Sequence, residues 1–239
     1  MSERFYVSQP IAGERVTLDG PEAHHLLRVM RAAVGERVTL FDGGGCEFVG
    51  EIVRCGRNDA ELAIVERCTV DRELPLELVV GVSLPKGDRQ KWLVEKLTEL
   101  GARRLVPLVT ARGVAQPTAG AFARLARGVI EATKQCGRNR LMAIAKPQAW
   151  GDWLLQASTD AVTVRRFLAH PGGLPLGEIN LHERQPTHLA IGPEGGFTPD
   201  EAAAAVAAGW QAVDLGPRIL RVETAAVALA AVVALTARP

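Results

Sequence analysis

Signals for several common protein classes are missing from this sequence. It contains four cysteines, and no two of them form a C-x-x-C pair. No secretory signal is recognisable either, so we expect reduced thiols in a cytoplasmic protein without a metal site. The apolar stretch "TAAVALAAVVALTA" (224–237) has 14 residues, fewer than the roughly 20 that a helix needs to span a bilayer, so we expect no membrane segment.

Two common nucleotide-binding motifs are also missing. The sequence contains no G-x-G-x-x-G and no G-x-x-x-x-G-K-[ST], which argues against a Rossmann dinucleotide site and a P-loop. What is present is a chain of 239 residues, 47% of them hydrophobic and 23% charged, as in ordinary globular proteins. That length suffices for one large domain or two small ones.

Positive charge is concentrated in the middle of the chain. The whole sequence has a net charge of only +1, but residues 86–140 contain 12 Lys and Arg against 4 acidic residues. Residues 1–70 contain 8 Arg against 11 acidic residues. A basic segment of this kind either is simply solvated or binds an anionic partner, and charge alone favours neither. Contact with phosphate groups is the functional interpretation.

The first 72 residues have the pattern of a small β-barrel. Five short runs that include β-branched and aromatic residues follow one another closely, separated by turn signals such as "DGGG" and "GRND". One segment, "PEAHHLLRVMR" (21–31), has helical spacing and directs Leu27 and Met30 inward and Arg28 and Arg31 outward. We therefore predict an N-terminal β-barrel domain over residues 1–72.

From residue 73 onward, predicted strands and helices alternate. Apolar runs such as "LELVVGVSL", "RLVPLV" and "THLAI" have the character of strands, and segments with helical periodicity stand between them. Alternation of this kind is typical of a parallel sheet covered by helices on both faces. We predict an α/β domain over residues 73–239.

Three glycine- and proline-rich loops follow predicted strands: "FLAHPGGL" (167–174), "IGPEGGFTPDE" (191–201) and "LGPRILRVETAA" (215–226). In the second loop, Thr198 is placed as an N-cap, Pro199 at the first helical position, and Glu201 to complete a capping box. Ligands of open α/β sheets bind beyond the carboxyl ends of the strands. The loops therefore predict a site built mostly from backbone groups, which suits an adenine edge and ribose hydroxyls. A tight turn without a ligand is the alternative for any one loop.

The second and third loops together resemble the signature of the SPOUT methyltransferases, whose C-terminal segment forms a trefoil knot around S-adenosylmethionine. The greatest resemblance is to the family that methylates N3 of a uridine in 16S ribosomal RNA of the small subunit. "HHLLRVMRAAVGERVTLFDG" resembles that family's PUA-like barrel, "KGDRQKWLVEKLTELG" its first SPOUT helix, and "KQCGRNR" its basic loop. The resemblance spans essentially the whole chain. Two departures are Val222, where the family usually has Thr, and "RLMAI" in place of a proline-bearing stretch.

The resemblance implies S-adenosylmethionine as the cofactor and assigns residues to it. The implied cofactor-binding residues are Leu168, His170, Ile191, Gly192, Pro193, Glu194, Gly195, Gly196, Leu215, Gly216, Ile219, Leu220, Arg221, Glu223, Thr224 and Ala225. Together with the charge pattern, it also assigns RNA contacts. These are Arg28, Arg31, Lys86, Arg89, Arg127, Lys134, Arg138 and Arg140.

Methylation of a uracil nitrogen requires that the nitrogen lose its proton and lie in line with the methyl group. A cation beside the base would stabilise the anion spread over O2, N3 and O4 and so lower the pKa of N3. Arg221 is the first candidate because it follows the Gly-Pro turn of the third loop, and Arg138 from the basic loop is the second. Glu194 is a candidate base or an orienting residue. The structural alternative for Arg221 is a helix-end salt bridge with Glu223.

The implied partner is 16S ribosomal RNA, within the assembled small subunit. The terminal helix is apolar nearly all round and predicts a C2 homodimer. Two other functions stay open from the sequence: a SPOUT methyltransferase acting on another RNA such as tRNA, and a non-catalytic RNA-binding module that kept the fold. The intact glycine loops argue against the second.

Overall fold

The computed structural model describes residues 3–113, 118–158, 164–179 and 184–237. The chain divides into two compact units. The first comprises residues 1–73 and 133–141, and the second comprises residues 74–132 and 142–239. The first unit therefore includes a segment from the middle of the chain, which the sequence analysis did not associate with the N-terminal residues.

A five-stranded mixed sheet forms the first unit. Its strands are β1 (Arg4–Tyr6), β2 (Arg15–Leu18), β3 (Arg37–Phe41), β4 (Glu47–Cys55) and β5 (Ala60–Cys68). They are ordered β1-β3-β4-β5-β2, with β1 parallel to β3 and the other neighbours antiparallel. All five predicted strands are present, and the predicted small barrel takes the form of a half-barrel with β1 and β2 as its outer strands.

The predicted helical segment lies between β2 and β3 in the chain. It consists of helix α1 (Gly20–His24) and a π-helical turn (His25–Val29). Leu26 is fully buried in the core of this unit, whereas Leu27 and Met30 pack against that core and are only partly buried. Leu27 and Met30 therefore pack inward in part, and Arg28 and Arg31 are exposed, as predicted. The fully buried position falls at Leu26 because the π-helical turn has a different periodicity from an α-helix.

The second unit alternates strands and helices. Its strands are β6 (Leu78–Val82), β7 (Arg104–Val109), β8 (Ala143–Ile144), β9 (Gln148–Ala149), β10 (Arg165–Pro175), β11 (Thr187–Ile191) and β12 (Gln211–Asp214). Its helices are α2 (Arg89–Glu99), α3 (Ala119–Cys136), α4 (Trp150–Ser158), α5 (Pro199–Ala207) and α6 (Val222–Thr236). The last residues of α3 belong to the first unit.

Parallel pairing throughout the sheet of the second unit confirms the predicted α/β class. The strand order is β12-β10-β11-β6-β7-β8, and β9 pairs with β7. Because β10 lies between β11 and β12 and all three run parallel, the carboxyl ends of these strands meet at one edge of the sheet.

An aromatic cluster anchors the segment that follows β11. Trp150 and Trp153 of α4 contact Trp210, with ring centroids 5.8 and 4.9 Å apart, and the Trp150 ring lies 4.6 Å from that of Phe197. All four side chains are buried. Phe197 therefore fixes the end of the "IGPEGGF" loop to the core of the unit.

Candidate active site

A pocket of about 460 Å³ opens between residues within β10 and the segments that follow β11 and β12. Pockets for small ligands generally measure roughly 300–1,000 Å³. The lining residues are Ala169, His170, Pro171, Ile191, Gly192, Pro193, Glu194, Gly195, Gly196, Asp214, Leu215, Gly216, Pro217, Arg218, Ile219, Leu220, Val222 and Ala225. The structure thus brings all three glycine-rich loops together around one pocket.

The first loop is a bulge inside β10. Ala169 and Leu174 both pair with Val213 of β12, so residues 170–173 leave the ladder and return to it at the same point. A Cβ atom on Gly173 would lie 2.5–2.6 Å from backbone atoms of β12. Only glycine lets the two strands close again after the bulge. The expected strand end at this loop is therefore wrong, because β10 continues beyond it.

The second loop depends on glycine and on a helix cap. A Cβ atom on Gly192 would lie 2.9 Å from the Phe197 ring, and Gly196 has a φ of 68°, which favours glycine. The predicted capping box is present. Thr198 Oγ1 accepts from the amide of Glu201 at 3.1 Å, and the amide of Thr198 donates to Glu201 Oε2 at 2.8 Å. Helix α5 therefore begins directly after Thr198 and fixes the C-terminal end of the loop.

The loop after β7 supports the second loop. Arg112 Nη1 donates to the carbonyl oxygen of Gly195 at 2.7 Å, and the amide of Ala111 donates to Glu201 Oε1 at 2.8 Å. The sequence carried no signal for these contacts, because the partners are 83 and 90 residues apart in the chain.

Asp214 joins the first loop to the third. Its Oδ1 accepts from the amide of Gly216 at 2.7 Å, and its Oδ2 accepts from the amide of Gly172 at 3.1 Å. The hydrogen bond from Gly216, followed by that from Gly172, holds the pKa of Asp214 below its ordinary value of 3.8. Asp214 is not among the residues predicted for the site, although an Asp two residues before a Gly is a turn signal.

We expect Asp214→Asn to destabilise the protein in a pH-dependent way. The folded pKa is lowered, so the stabilising effect of the carboxylate is present above the unfolded pKa and is lost as the pH falls through the folded pKa. Urea unfolding of both proteins should give a constant difference in unfolding free energy at about pH 7 and about pH 5, shrinking at about pH 2.5. A variant as stable as the wild type at about pH 7 would show that the carboxylate does not hold the two loops.

Arg89, the first residue of α2, lies between two carboxylates. Its Nη2 is 3.3 Å from Glu194 Oε1 on the second loop, and its Nη1 is 3.7 Å from Glu223 Oε2 in the first turn of α6. The Glu223 side chain is 8% exposed and that of Glu194 is 48% exposed. Within the described residues, Glu223 thus pairs with Arg89 and not with Arg221, the exposed N-cap residue of α6.

Most residues that the resemblance assigned to the cofactor line the pocket. They are His170, Ile191, Gly192, Pro193, Glu194, Gly195, Gly196, Leu215, Gly216, Ile219, Leu220 and Ala225. The other four are Leu168, which is fully buried in the core, and Arg221, Glu223 and Thr224, which lie outside the lining. The lining residues that were not assigned are Ala169, Pro171, Asp214, Pro217, Arg218 and Val222. The role of each residue toward a ligand stays a prediction.

Two family models match the chain. The model described as RNA methyltransferase PUA domain matches residues 18–65, and the model described as RNA methyltransferase domain matches residues 72–234. This chain belongs to the RNA methyltransferase family. The match confirms the family-level resemblance of the sequence motifs, and the pocket lies in the part of the chain that the methyltransferase model covers.

Similar proteins of this methyltransferase family include two named ribosomal RNA small subunit methyltransferase E. The protein from Synechocystis sp. is 34% identical, over 98% of this chain and 78% of its own length. The protein from Mycobacterium bovis is 33% identical, over 98% of this chain and 92% of its own length. The protein of that name from Neisseria gonorrhoeae has a crystal structure with bound S-adenosyl methionine, and its sequence is 32% identical to this chain. It covers 97% of this chain and 96% of its own, with a TM-score of 0.87.

The basic residues predicted to contact RNA fall into two groups in this methyltransferase. The exposed residues are Arg28, Arg31, Lys86, Arg127 and Arg140. Arg31 lies two residues after the π-helical turn and has a left-handed φ of 57°. The remaining three, Arg89, Lys134 and Arg138, are held in ion pairs with acidic residues. The sequence does not distinguish the two groups, because their acidic partners are distant in the chain.

Arg138 differs most from its predicted roles as a catalytic cation and an RNA contact. It is 2% exposed, and its Nε and Nη2 lie 3.1 and 2.5 Å from the two carboxylate oxygens of Glu73. In the same segment, Lys134 Nζ donates to Glu22 Oε1 at 3.0 Å. These contacts build residues 133–141 into the first unit. Burial and pairing argue against both roles predicted for Arg138.

We expect Arg138→Met to destabilise the protein by about 3–5 kcal/mol, because it leaves the carboxylate of Glu73 without its partner. Urea unfolding at neutral pH measures the change, with the exposed Arg127→Met as the matched control that should leave stability unchanged. Equal unfolding midpoints for the two variants would contradict the structural role of the Arg138 ion pair.

Neither a metal site nor a membrane span is found in the part of the chain that the structure describes. Its His, Cys, Asp and Glu side chains form no group of three that could hold a metal ion. No described helix is long and apolar enough to cross a bilayer.

Proposed function

We propose that this protein transfers the methyl group of S-adenosylmethionine to N3 of a uridine in 16S ribosomal RNA. The observation that carries the proposal is a pocket that all three glycine-rich loops line together, in a chain that belongs to the RNA methyltransferase family. The names of its relatives and the S-adenosyl methionine in the gonococcal structure support the choice of substrate and cofactor. The position methylated rests on the resemblance of the sequence motifs.

The pocket suits S-adenosylmethionine in its size and in its lining. Gly196 and Gly216 have φ angles of 68° and 101°, and nothing lies within 4 Å of the point where a Cβ atom would stand on either. Backbone, rather than side chains, therefore borders this space, and backbone groups can pair with an adenine edge and with ribose hydroxyls. S-adenosylmethionine, when bound, supplies a methyl group already activated by its sulfonium charge.

The side chains of this chain would then have two tasks: to orient the uracil and to stabilise it without its N3 proton. Arg221 is the proposed cation, because it stands between Leu220 and Val222, which both line the pocket. Its exposure leaves the guanidinium accessible to an RNA base. Glu194 also lines the pocket and is the proposed base or orienting group.

RNA contacts are proposed for the exposed basic residues, within each unit separately. The proposed contacts of the first unit are Arg28, Arg31 and Arg140, and those of the second unit are Lys86 and Arg127. Such side chains bind phosphate and release counterions, so we propose a binding affinity that falls with rising salt. Because the proposed substrate is ribosomal RNA, we also propose that the protein acts in the cytoplasm.

Transfer of labelled methyl groups from S-adenosylmethionine tests the proposal. Purified protein is incubated with assembled small subunits, naked 16S RNA and tRNA, each lacking prior modification. Label in 16S RNA, and most strongly in the assembled subunit, supports the proposal. Label in tRNA alone would indicate a methyltransferase with another RNA substrate, and cofactor-independent RNA binding without any transfer would indicate a non-catalytic module.

A C2 homodimer is also proposed. Helix α6 packs against α2, and apolar side chains on both helices still face outward: Trp92 is 42% exposed and Leu235 is 58% exposed. A second copy would cover such a surface in a symmetric dimer. Sedimentation should give about twice the 25.6 kDa of one chain at micromolar concentration, and a monomer alone would refute the dimer.

The trefoil knot stays a proposal, supported by strand order. From β11 the chain passes through α5 to β12, which lies on the far side of β10, and then returns to α6, which packs against β6 and β11. A crossing of this kind is what a knot requires. An experimental chain trace in which the third loop does not thread through the preceding segment would refute it.

A further inference from the structure

The carboxylates among the charged residues that line the pocket differ in their hydrogen-bond and ion-pair partners. The charged lining residues are Glu194, Asp214 and Arg218. Both carboxylate oxygens of Asp214 accept backbone hydrogen bonds, from Gly216 and Gly172. The carboxylate of Glu194 has a different partner, the side chain of Arg89, at 3.3 Å. Glu194 is therefore the lining carboxylate whose charge depends on another side chain.

Arg89 is shared between Glu194 and Glu223, so the three side chains together have one positive and two negative charges. Its distance to Glu223 is 3.7 Å, and the Glu223 side chain is closed from solvent at 8% exposure. Glu194 is 48% exposed and lines the pocket. The triad therefore keeps one net negative charge, and Glu194 is the member of the triad that lines the pocket.

We infer that the Glu194–Arg89–Glu223 triad makes the pocket select the cationic methyl donor over its neutral product. The inference rests on the proposed function. Methyl transfer first breaks the N3–H bond, with the proton passing to a base. The electron pair left on N3 then forms the N–CH₃ bond, while the S–CH₃ bond breaks and its electron pair stays on sulfur. S-adenosylhomocysteine therefore lacks the sulfonium charge of S-adenosylmethionine and retains nearly the same shape. Arg218 also lines the pocket, and with it the lining and the triad together carry three carboxylates against two guanidinium groups. This excess of negative charge favours the donor for binding and the product for release.

The expected selection is modest, because Glu194 is partly solvated. Two opposite charges several ångströms apart at a protein surface interact by about 1 kcal/mol, or roughly 3- to 10-fold in affinity. Arg89 decides the size of this effect. With Arg89 present, the charge of Glu194 is partly neutralised, and without Arg89 it is exposed in full.

Calorimetric dissociation constants for S-adenosylmethionine and S-adenosylhomocysteine test the inference through their ratio. Glu194→Gln should reduce the preference for the donor by about 3- to 10-fold, since the lining loses its charge. Arg89→Met should raise the preference by about 2- to 5-fold, and the double variant, in which Glu223 keeps one negative charge, should fall between the two single variants. The matched control is Lys91→Met, an exposed α2 residue paired with Glu95 at 3.6 Å, which should leave the ratio unchanged.

If the ratio of the two dissociation constants falls in one single variant and rises in the other, Glu194 and Arg89 act through their charges. If both variants weaken both ligands equally, Glu194 and Arg89 only shape the loops and the inference is overturned. If Arg89→Met weakens RNA binding and leaves the ratio unchanged, Arg89 is an RNA contact and the inference is likewise overturned. If the wild type binds neither ligand, the proposed function itself fails. Should Arg89→Met unfold, the exposed Glu194→Gln change still decides the outcome.

Discussion

Gly173→Ala is expected to cause the largest loss of cofactor binding among single substitutions in the bulge of β10. A Cβ atom at this position would overlap the backbone of β12 at 2.5–2.6 Å, and backbone cannot move aside as a flexible side chain can. The bulge and β12 must then separate. Since His170 and Asp214, which line the pocket, lie on these two segments, the pocket loses its shape.

We expect Gly173→Ala to lower the unfolding free energy by about 1–3 kcal/mol and to weaken S-adenosylmethionine binding by at least about 10-fold. Thermal unfolding and calorimetry measure the two effects. Gly177→Ala is the matched control, because nothing lies within 4 Å of a Cβ atom there and its φ is not left-handed. Unchanged cofactor affinity in a folded Gly173→Ala protein would show that the bulge does not shape the site.

Arg221→Ala is expected to abolish most turnover while keeping cofactor affinity. Loss of one preorganised charge donor typically costs about 10²–10³ in rate. The side chain is exposed, so its removal should not unfold the protein. Without the cation the pKa of the uracil N3 stays high, and the residual activity should therefore climb further toward alkaline pH than that of the wild type. Arg221→Lys should rescue only partly, since Lys offers a point charge in place of a planar fork.

Single-turnover rates measured against pH for the wild type, Arg221→Ala and Arg221→Lys distinguish a catalytic role from a binding role. If the three profiles share one shape and differ only in S-adenosylmethionine affinity, Arg221 is a cofactor or structural residue. The next cation to test would then be Arg218, which lines the pocket. Arg138 is no longer the second candidate, because it is buried against Glu73.

Features that depend on neighbouring residues could be predicted from the sequence. The capping box of Thr198 and Glu201 is a contact across three residues, and it is present as predicted. Strands β7 and β11 have the bounds of the apolar runs "RLVPLV" and "THLAI". In each case the local hydrophobic pattern and the adjacent turn residues determine the element, so no distant contact has to be known.

Features that depend on distant residues could not be predicted. Arg138 and Glu73 are 65 residues apart and Arg89 and Glu194 are 105 apart, so neither ion pair leaves a pattern in the sequence. The same limit applies to the bulge of β10, because its return to the ladder depends on pairing with β12. Strands β8 and β9 have two residues each, too few to show a period.

Mass-spectrometric analysis of the methylated nucleoside tests the central claim most directly. Small subunits lacking the modification are incubated with S-adenosylmethionine and the wild-type protein, and their 16S RNA is digested to nucleosides and to mapped fragments. We predict N3-methyluridine at a single position, with Gly173→Ala protein giving little or none. A methyl group on ribose, on another base atom or at many scattered uridines would contradict the account, as would the absence of any methylated product.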